Sequence, residues 1–259
     1  MKKILLIGDS ICQGYRNFVK LAFKDTAEVY FPETNCRFAA FVLRNLLDWK
    51  NELGCGDDVD VIHWNAGLWD GLVMPDGKPL ISFERYCEDI ERVCTTIKIL
   101  FPKAKMIFAT STPVQEELFQ TKYQYYRRYN KDTVRYNAGA CEIVLKHGGI
   151  INDLYSLMKD VPKSYYSDQT HFDTKEATQM ISDQVIRSIE LYGEIKAAPL
   201  NYDEIYCFIG PPPFGGVSIV DVTVPEFHLF ALSAVLHRNS LGDIPVYFLK
   251  MREKQNGSA

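Results

Sequence analysis

The chain has 259 residues, 47% of them hydrophobic, and a formal net charge of -4 at pH 7. That is enough apolar material for one large domain or two small ones, and its interspersed charges argue against a nucleic-acid-binding surface. No run approaches the roughly 18 apolar residues of a membrane span, and the apolar start at residues 4–7 is too short for a signal-peptide core. Seven scattered cysteines without a C-x-x-C pair read as free thiols, which predicts a reducing, cytoplasmic setting.

Strand-length apolar runs alternate with segments of helical period, the pattern of a parallel sheet covered on both faces. Residues 4–7 form the first predicted strand, 28–31 a weaker second, and 59–65, 105–110 and 148–153 the remaining three. Predicted helices run over 38–49, over 82–100 with Ser82 as N-cap, and over 174–192 with Thr174 and Glu176 in the first turn. A long helix is predicted over 119–146, where Phe119, Tyr123, Tyr126, Asn130, Thr133, Asn137, Cys141 and Val144 recur every three or four residues. The arginines of its "YQYYRRY" then fall on the solvated face. After Tyr192 the pattern changes. "AAPLN" reads as a linker, "GPPPFGG" as a rigid loop, 217–224 as β-rich, 226–237 as a helix and 244–249 as a last apolar run. The organisation is thus a main domain over 1–195 and an extension over 200–259, packed on that domain or on a second subunit as a homo-oligomer contact.

Ligands of open parallel sheets bind outside the carboxyl ends of the strands. The first strand delivers Gly8, Asp9 and Ser10 there. Ser10 at a helix start suits a nucleophile whose attack creates an oxyanion, although Asp9 or Ser10 as a plain helix cap explains the tripeptide equally. A serine nucleophile needs an oriented base. His147 stands at a helix end, His228 and His237 lie in the extension, and His63 reads as a hydrogen-bonded core residue within a strand. His171 follows Asp168 by three residues in "YYSDQTHFD", a spacing that lets one tight turn carry both a base and the carboxylate fixing its tautomer. Cys12, two residues from Ser10, reads as core. No spacing matches a zinc site, and neither a phosphate loop nor G-x-G-x-x-G occurs, so no metal or cofactor is expected.

"IGDS" after the first strand and "DQTH" before the last core helix resemble the SGNH (GDSL) hydrolases, a family of esterases and acylhydrolases. The resemblance covers about residues 1–192 and extends to "FATSTPV" and "RYNAGACEIVLKHGGIINDLYSL". It implies a three-layer α/β/α fold with a mostly parallel, five-stranded, flavodoxin-like sheet. It also implies Ser10 as nucleophile, His171 as general base and Asp168 as its partner, with the Ser10 N–H as one oxyanion donor.

Two blocks depart from the family pattern. Where its second block has glycine, this chain has Asn35, Cys36 or Arg37, and Cys36 is taken as the backbone donor. The third block, Gly-x-Asn-Asp, aligns with Gly67, Leu68, Trp69 and Asp70, which puts Trp69 where the amide donor belongs. "HWNAGLWD" is similar to an H-x-N-x-G-L-[HW]-D variant, and Asn65 is expected to be the side-chain oxyanion donor in place of Trp69, since an amide donates from two N–H groups and a bulky indole from one. Asp9 and Trp69 are assigned to substrate. Trp64, Tyr165 and Tyr166 are further candidates to stack on a sugar, and equally what a core needs.

The resemblance implies hydrolysis of a small-molecule ester, O-acetylated sugars among the substrates, with lysophospholipids or thioesters as alternatives. A non-catalytic binding module on the same fold is the rival reading.

Overall fold

The computed structural model describes residues 1–120 and 126–209. The chain divides into two compact units, residues 1–219 and 220–259. The second unit, and with it the predicted elements at 226–237 and 244–249, lies outside the described residues, as does the β-rich stretch at 217–224.

The first unit alternates strands and helices: β1 (Lys2–Ile7), α1 (Ser10–Ala22), β2 (Ala27–Tyr30), α2 (Ala39–Leu53), β3 (Val61–Trp64), α3 (Phe83–Leu100), β4 (Lys105–Ala109), α4 (Asn130–Lys146), β5 (Ile150–Asn152), α5 (Leu154–Met158), α6 (Lys175–Gly193) and α7 (Tyr202–Ile209). All strands pair in parallel in the order β2-β1-β3-β4-β5, the flavodoxin-like arrangement.

Side-chain alternation sorts the strands into two cores. Ile4, Leu6, Val61 and Ile107 pack with Tyr15 and Val19 of α1 and with Ile181, Val185 and Ile189 of α6. Leu5, Ile7, Ile62, Trp64 and Phe108 pack with residues of α2, α3 and α4. Each fully buried Leu or Ile stabilises the fold by about 1.5–3 kcal/mol. This explains why β1 is apolar on both faces instead of alternating.

His63 is the polar exception, fully buried on the α1 face of β3. Its Nδ1 lies 3.2 Å from the Tyr15 hydroxyl and its Nε2 3.0 Å from the Asn152 amide, which in turn accepts from Gln184 Nε2. The network links α1, β3, β5 and α6. Burial pushes the imidazole down to about 3, so it stays neutral at physiological pH.

Two expectations are corrected. The helix expected over 119–146 begins only at Asn130; a 3-10 turn occupies Glu116–Gln120, and Tyr123 lies outside the described residues. Asn130 sets the start, because its side chain accepts from Val114 N and donates to Val114 O, while its own N–H donates to Glu116 Oε1. "AAPLN" is a fastened segment rather than a free linker. Ala198 N donates to Ala22 O at 2.7 Å, Thr26 Oγ1 donates to Lys196 O, and beyond it Tyr202 stacks on Phe18 and donates to Asp183. No described helix is long and apolar enough to cross a membrane.

Candidate active site

The sheet order reverses between β1 and β3, and the crevice outside their carboxyl ends is the ligand position of such folds. β1 exits through Gly8 and Asp9 into α1, whose first residue is Ser10. Asp9 is the N-cap, its Oδ1 accepting from Ile11 N at 3.0 Å. The Ser10 N–H has no acceptor among the described residues, as expected of an N-terminal helix donor.

Asp168 and His171 come from the turn before α6. That turn is closed by the antiparallel bridge of Tyr166 with Phe172 and by Ser167 N donating to His171 O. Gln115 N donates to Gln169 O, tying the turn to the segment after β4. Asp168 Oδ1 accepts from Thr170 N at 2.7 Å and His171 N at 2.9 Å, while Oδ2 lies 2.7 Å from His171 Nδ1. His171 Nε2 lies 2.7 Å from Ser10 Oγ. The structure thus brings Ser10, His171 and Asp168 together across 161 residues of chain. Burial pushes the Asp168 carboxyl up, but the His171 ring and the N–H groups of Thr170 and His171 outweigh it and hold the acid well below its usual range.

Comparison with solved structures places this architecture. The chain superposes on a lipase/acylhydrolase from Enterococcus faecalis at 20% identity and TM-score 0.57, covering 77% of this chain and 100% of that one. An acetyl xylan esterase superposes at 13% identity and TM-score 0.55, covering 72% and 99%. A variant of an acetyl-xylooligosaccharide esterase from Geobacillus Stearmophilus does so at 14% identity and TM-score 0.54, covering 73% and 94%. The fold is that of the SGNH hydrolases. No protein-family model matches the sequence, and no curated protein sequence matches it significantly.

Within the SGNH fold, the oxyanion side of the site is where the departures lie. Alternation along β3 puts Asn65 on the α1 face with His63. There its amide packs so closely over Gly8 that a Cβ at that glycine would lie 1.9 Å from Asn65 Oδ1. Glycine is therefore required at position 8 by the close approach of Asn65. Burial pushes the Asp9 carboxyl up, and the neighbouring Asn65 amide offsets part of that shift. Asn65 thus stands beside the Ser10 turn. Gly67, at φ 145°, would place a Cβ 2.6 Å from Ser111 Oγ, so the loop after β3 needs glycine there as well.

Of the residues assigned from sequence, Cys36 and Asp9 sit elsewhere than expected. Cys36 N–H donates to Gly8 O at 3.0 Å and is already used, so it is not an oxyanion donor. Arg37 takes the left-handed conformation at φ 52°, with its N–H bonded to Asn35 Oδ1 and its guanidinium over the Phe41 ring. Asp9 and Trp64 are fully buried, so neither reaches a substrate. Tyr166 is half-buried against Phe172, with ring centroids 4.3 Å apart, and Tyr165 is half-buried. Trp69 is half-buried under the guanidinium of Arg128, 5.8 Å from its ring centroid. Cys12 is core: burial pushes its thiol up to about 12, which leaves no thiolate to compete with Ser10.

Sequence reasoning missed two residues. Asp70 is fully buried and accepts from Ala39 N at 3.0 Å, capping α2 from outside that helix, whose own N-cap residue Phe38 makes no side-chain cap bond. Arg128 leaves the expected solvated face, and its Nε donates to Leu68 O at 2.5 Å. Asp70 was visible only as the last residue of the third block, and nothing local marked Arg128. Among the described residues no group of three or more His, Cys, Asp or Glu is arranged to hold a metal ion.

Proposed function

We propose that the protein is a serine esterase acting on small acyl esters, O-acetylated sugars among them, through an acyl-enzyme on Ser10. The observation that carries this reading is the unbroken relay from Ser10 Oγ to His171 Nε2 to Asp168, each step 2.7 Å. The esterase and acylhydrolase neighbours support it.

The chemistry follows from the geometry. Ser10 Oγ attacks the ester carbonyl as its proton passes to His171 Nε2, and Asp168 stabilises the resulting imidazolium through Nδ1. The oxygen of the tetrahedral intermediate gains negative charge and receives the Ser10 N–H and the Asn65 amide, at the positive end of α1. Collapse breaks the ester bond, and His171 returns its proton to the leaving alcohol. Water deprotonated by the same imidazole then attacks the acyl carbonyl and releases Ser10 and the carboxylic acid.

The test is turnover of a panel of 4-nitrophenyl esters from acetyl to octanoyl, with acetylated sugars, a lysophospholipid and an acyl thioester alongside. Wild type is expected to favour the short acyl esters. Ser10→Ala and His171→Ala are each expected to lower kcat by roughly three to six orders of magnitude, with the double variant little worse, because the triad acts as a unit. Near-native turnover by Ser10→Ala would overturn the assignment.

A further inference from the structure

Arg128 precedes α4 and is half-buried. Its Nε is spent on Leu68 O, and its central carbon lies 5.8 Å from the Trp69 ring centroid. Both anchors belong to the loop that follows β3, the strand whose end carries Asn65. The two terminal nitrogens, Nη1 and Nη2, make no hydrogen bond or ion pair with the described residues. Asp9 and Asp168 both act on this charge electrostatically, but neither forms an ion pair with it: Asp9 Oδ1 caps α1 while its Oδ2 has no hydrogen-bond partner among the described residues, and Asp168 holds His171. Burial drags the guanidinium down to about 10, a sign that the cation is held partly out of water.

A guanidinium taken partly out of water is costly unless its planar fork is met by an anion, and a carboxylate fits the two free nitrogens in a bidentate pair. The bond to Leu68 O, with the cation beside the Trp69 ring, holds the fork before any ligand arrives, so little further ordering is needed on binding. We propose that Arg128 is a specificity-determining residue that pairs with a carboxylate carried by the ester substrate, beside Trp69. The carboxylate belongs either to the acyl half, as in a dicarboxylic half-ester, or to the alcohol half, as in an acetylated uronic acid. The inference rests on the esterase reading of Ser10 and names its substrate class.

The experiment compares kcat/KM for matched pairs, in wild type and in Arg128→Gln and Arg128→Lys. Mono-4-nitrophenyl succinate against 4-nitrophenyl butyrate tests the acyl half. Acetylated methyl glucuronoside against acetylated methyl glucoside tests the alcohol half. Wild type is expected to prefer the anionic member of one pair by about tenfold or more. Arg128→Gln should cut that ratio by about ten- to a hundredfold, mainly through KM, and Arg128→Lys should retain part of it. The pair that responds identifies the half. A wild-type ratio near one in both pairs, or a ratio unchanged by Arg128→Gln, would overturn the proposal. Calorimetric binding of succinate and of methyl glucuronoside to Ser10→Ala, with and without Arg128→Gln, separates this failure from failure of the esterase reading. Carboxylate binding weakened tenfold or more by Arg128→Gln supports the site even in a protein that hydrolyses nothing, and binding that ignores Arg128, or none, overturns it.

Discussion

At Asn65 the choice between two oxyanion donors becomes a matter of position. Residue type alone favours an amide, which donates from two N–H groups, over an indole with one. The structure adds that Asn65 packs on Gly8 beside Ser10, whereas the Trp69 ring has the Arg128 guanidinium as its neighbour. Losing one oxyanion donor typically costs about a hundred- to a thousandfold in kcat, or roughly 3–4 kcal/mol. Asn65→Ala is therefore expected to lower kcat by that factor with KM little changed, and Trp69→Phe, which removes only an N–H, to leave kcat within about threefold. Steady-state kinetics on one activated ester checks both. A silent Asn65→Ala beside a crippled Trp69→Phe would make the indole the donor. Sequence favoured Asn65 on the chemistry of its amide but could not place it, because an Asn at a strand end has no preferred direction until the register with β1 fixes which face it occupies.

At the element scale, Asp70 shows how a site loop and a helix share one carboxyl. It ends the third block, yet its Oδ1 caps α2 through Ala39 N, and its Oδ2 has no hydrogen-bond partner among the described residues. Burial pushes the acid up to about 7, against about 3.9 in an unfolded chain. The native state therefore binds more protons than the unfolded state between those values. Stability should fall as pH rises from about 4 to 7 and level off above. Asp70→Asn keeps an oxygen for Ala39 N and removes the ionisation. Urea unfolding is expected to find the variant more stable than wild type at pH 8, by on the order of 2–4 kcal/mol, and nearly equal to it at pH 4. An equal difference at both values would show that Asp70 does not titrate in this window.

The same scale shows why elements were legible unevenly. The starts of α3 and α6 could be read because Ser82 and Thr174 cap them within their own segments, accepting from Arg85 N and Ala177 N. The start of α4 could not be read, since Asn130 closes it by bonding Val114, sixteen residues away. Its apparent aromatic period continued upstream of a boundary that only the tertiary contact sets. Arg128 was lost with that boundary: placed on a helix it reads as solvated, and in the loop it folds back onto Trp69.

For the whole molecule, the two ends of the motif were the readable part. A strand closing on Gly8, Asp9 and Ser10 and a turn carrying Asp168 and His171 both sit at carboxyl edges of a parallel sheet, so fold and relay were legible together. What sequence could not supply was the occupancy of backbone donors. Cys36 looked as free as any residue in its loop until its N–H was found bonded to Gly8 O. In the proposed reaction Ser10 is the nucleophile. The most direct test of that role is a fluorophosphonate reacted with the native protein, followed by intact mass and peptide mapping. A single adduct on Ser10, absent from Ser10→Ala and formed at least a hundredfold more slowly by His171→Ala, is the predicted result. An unlabelled wild-type protein, or an adduct on any other residue, would contradict it.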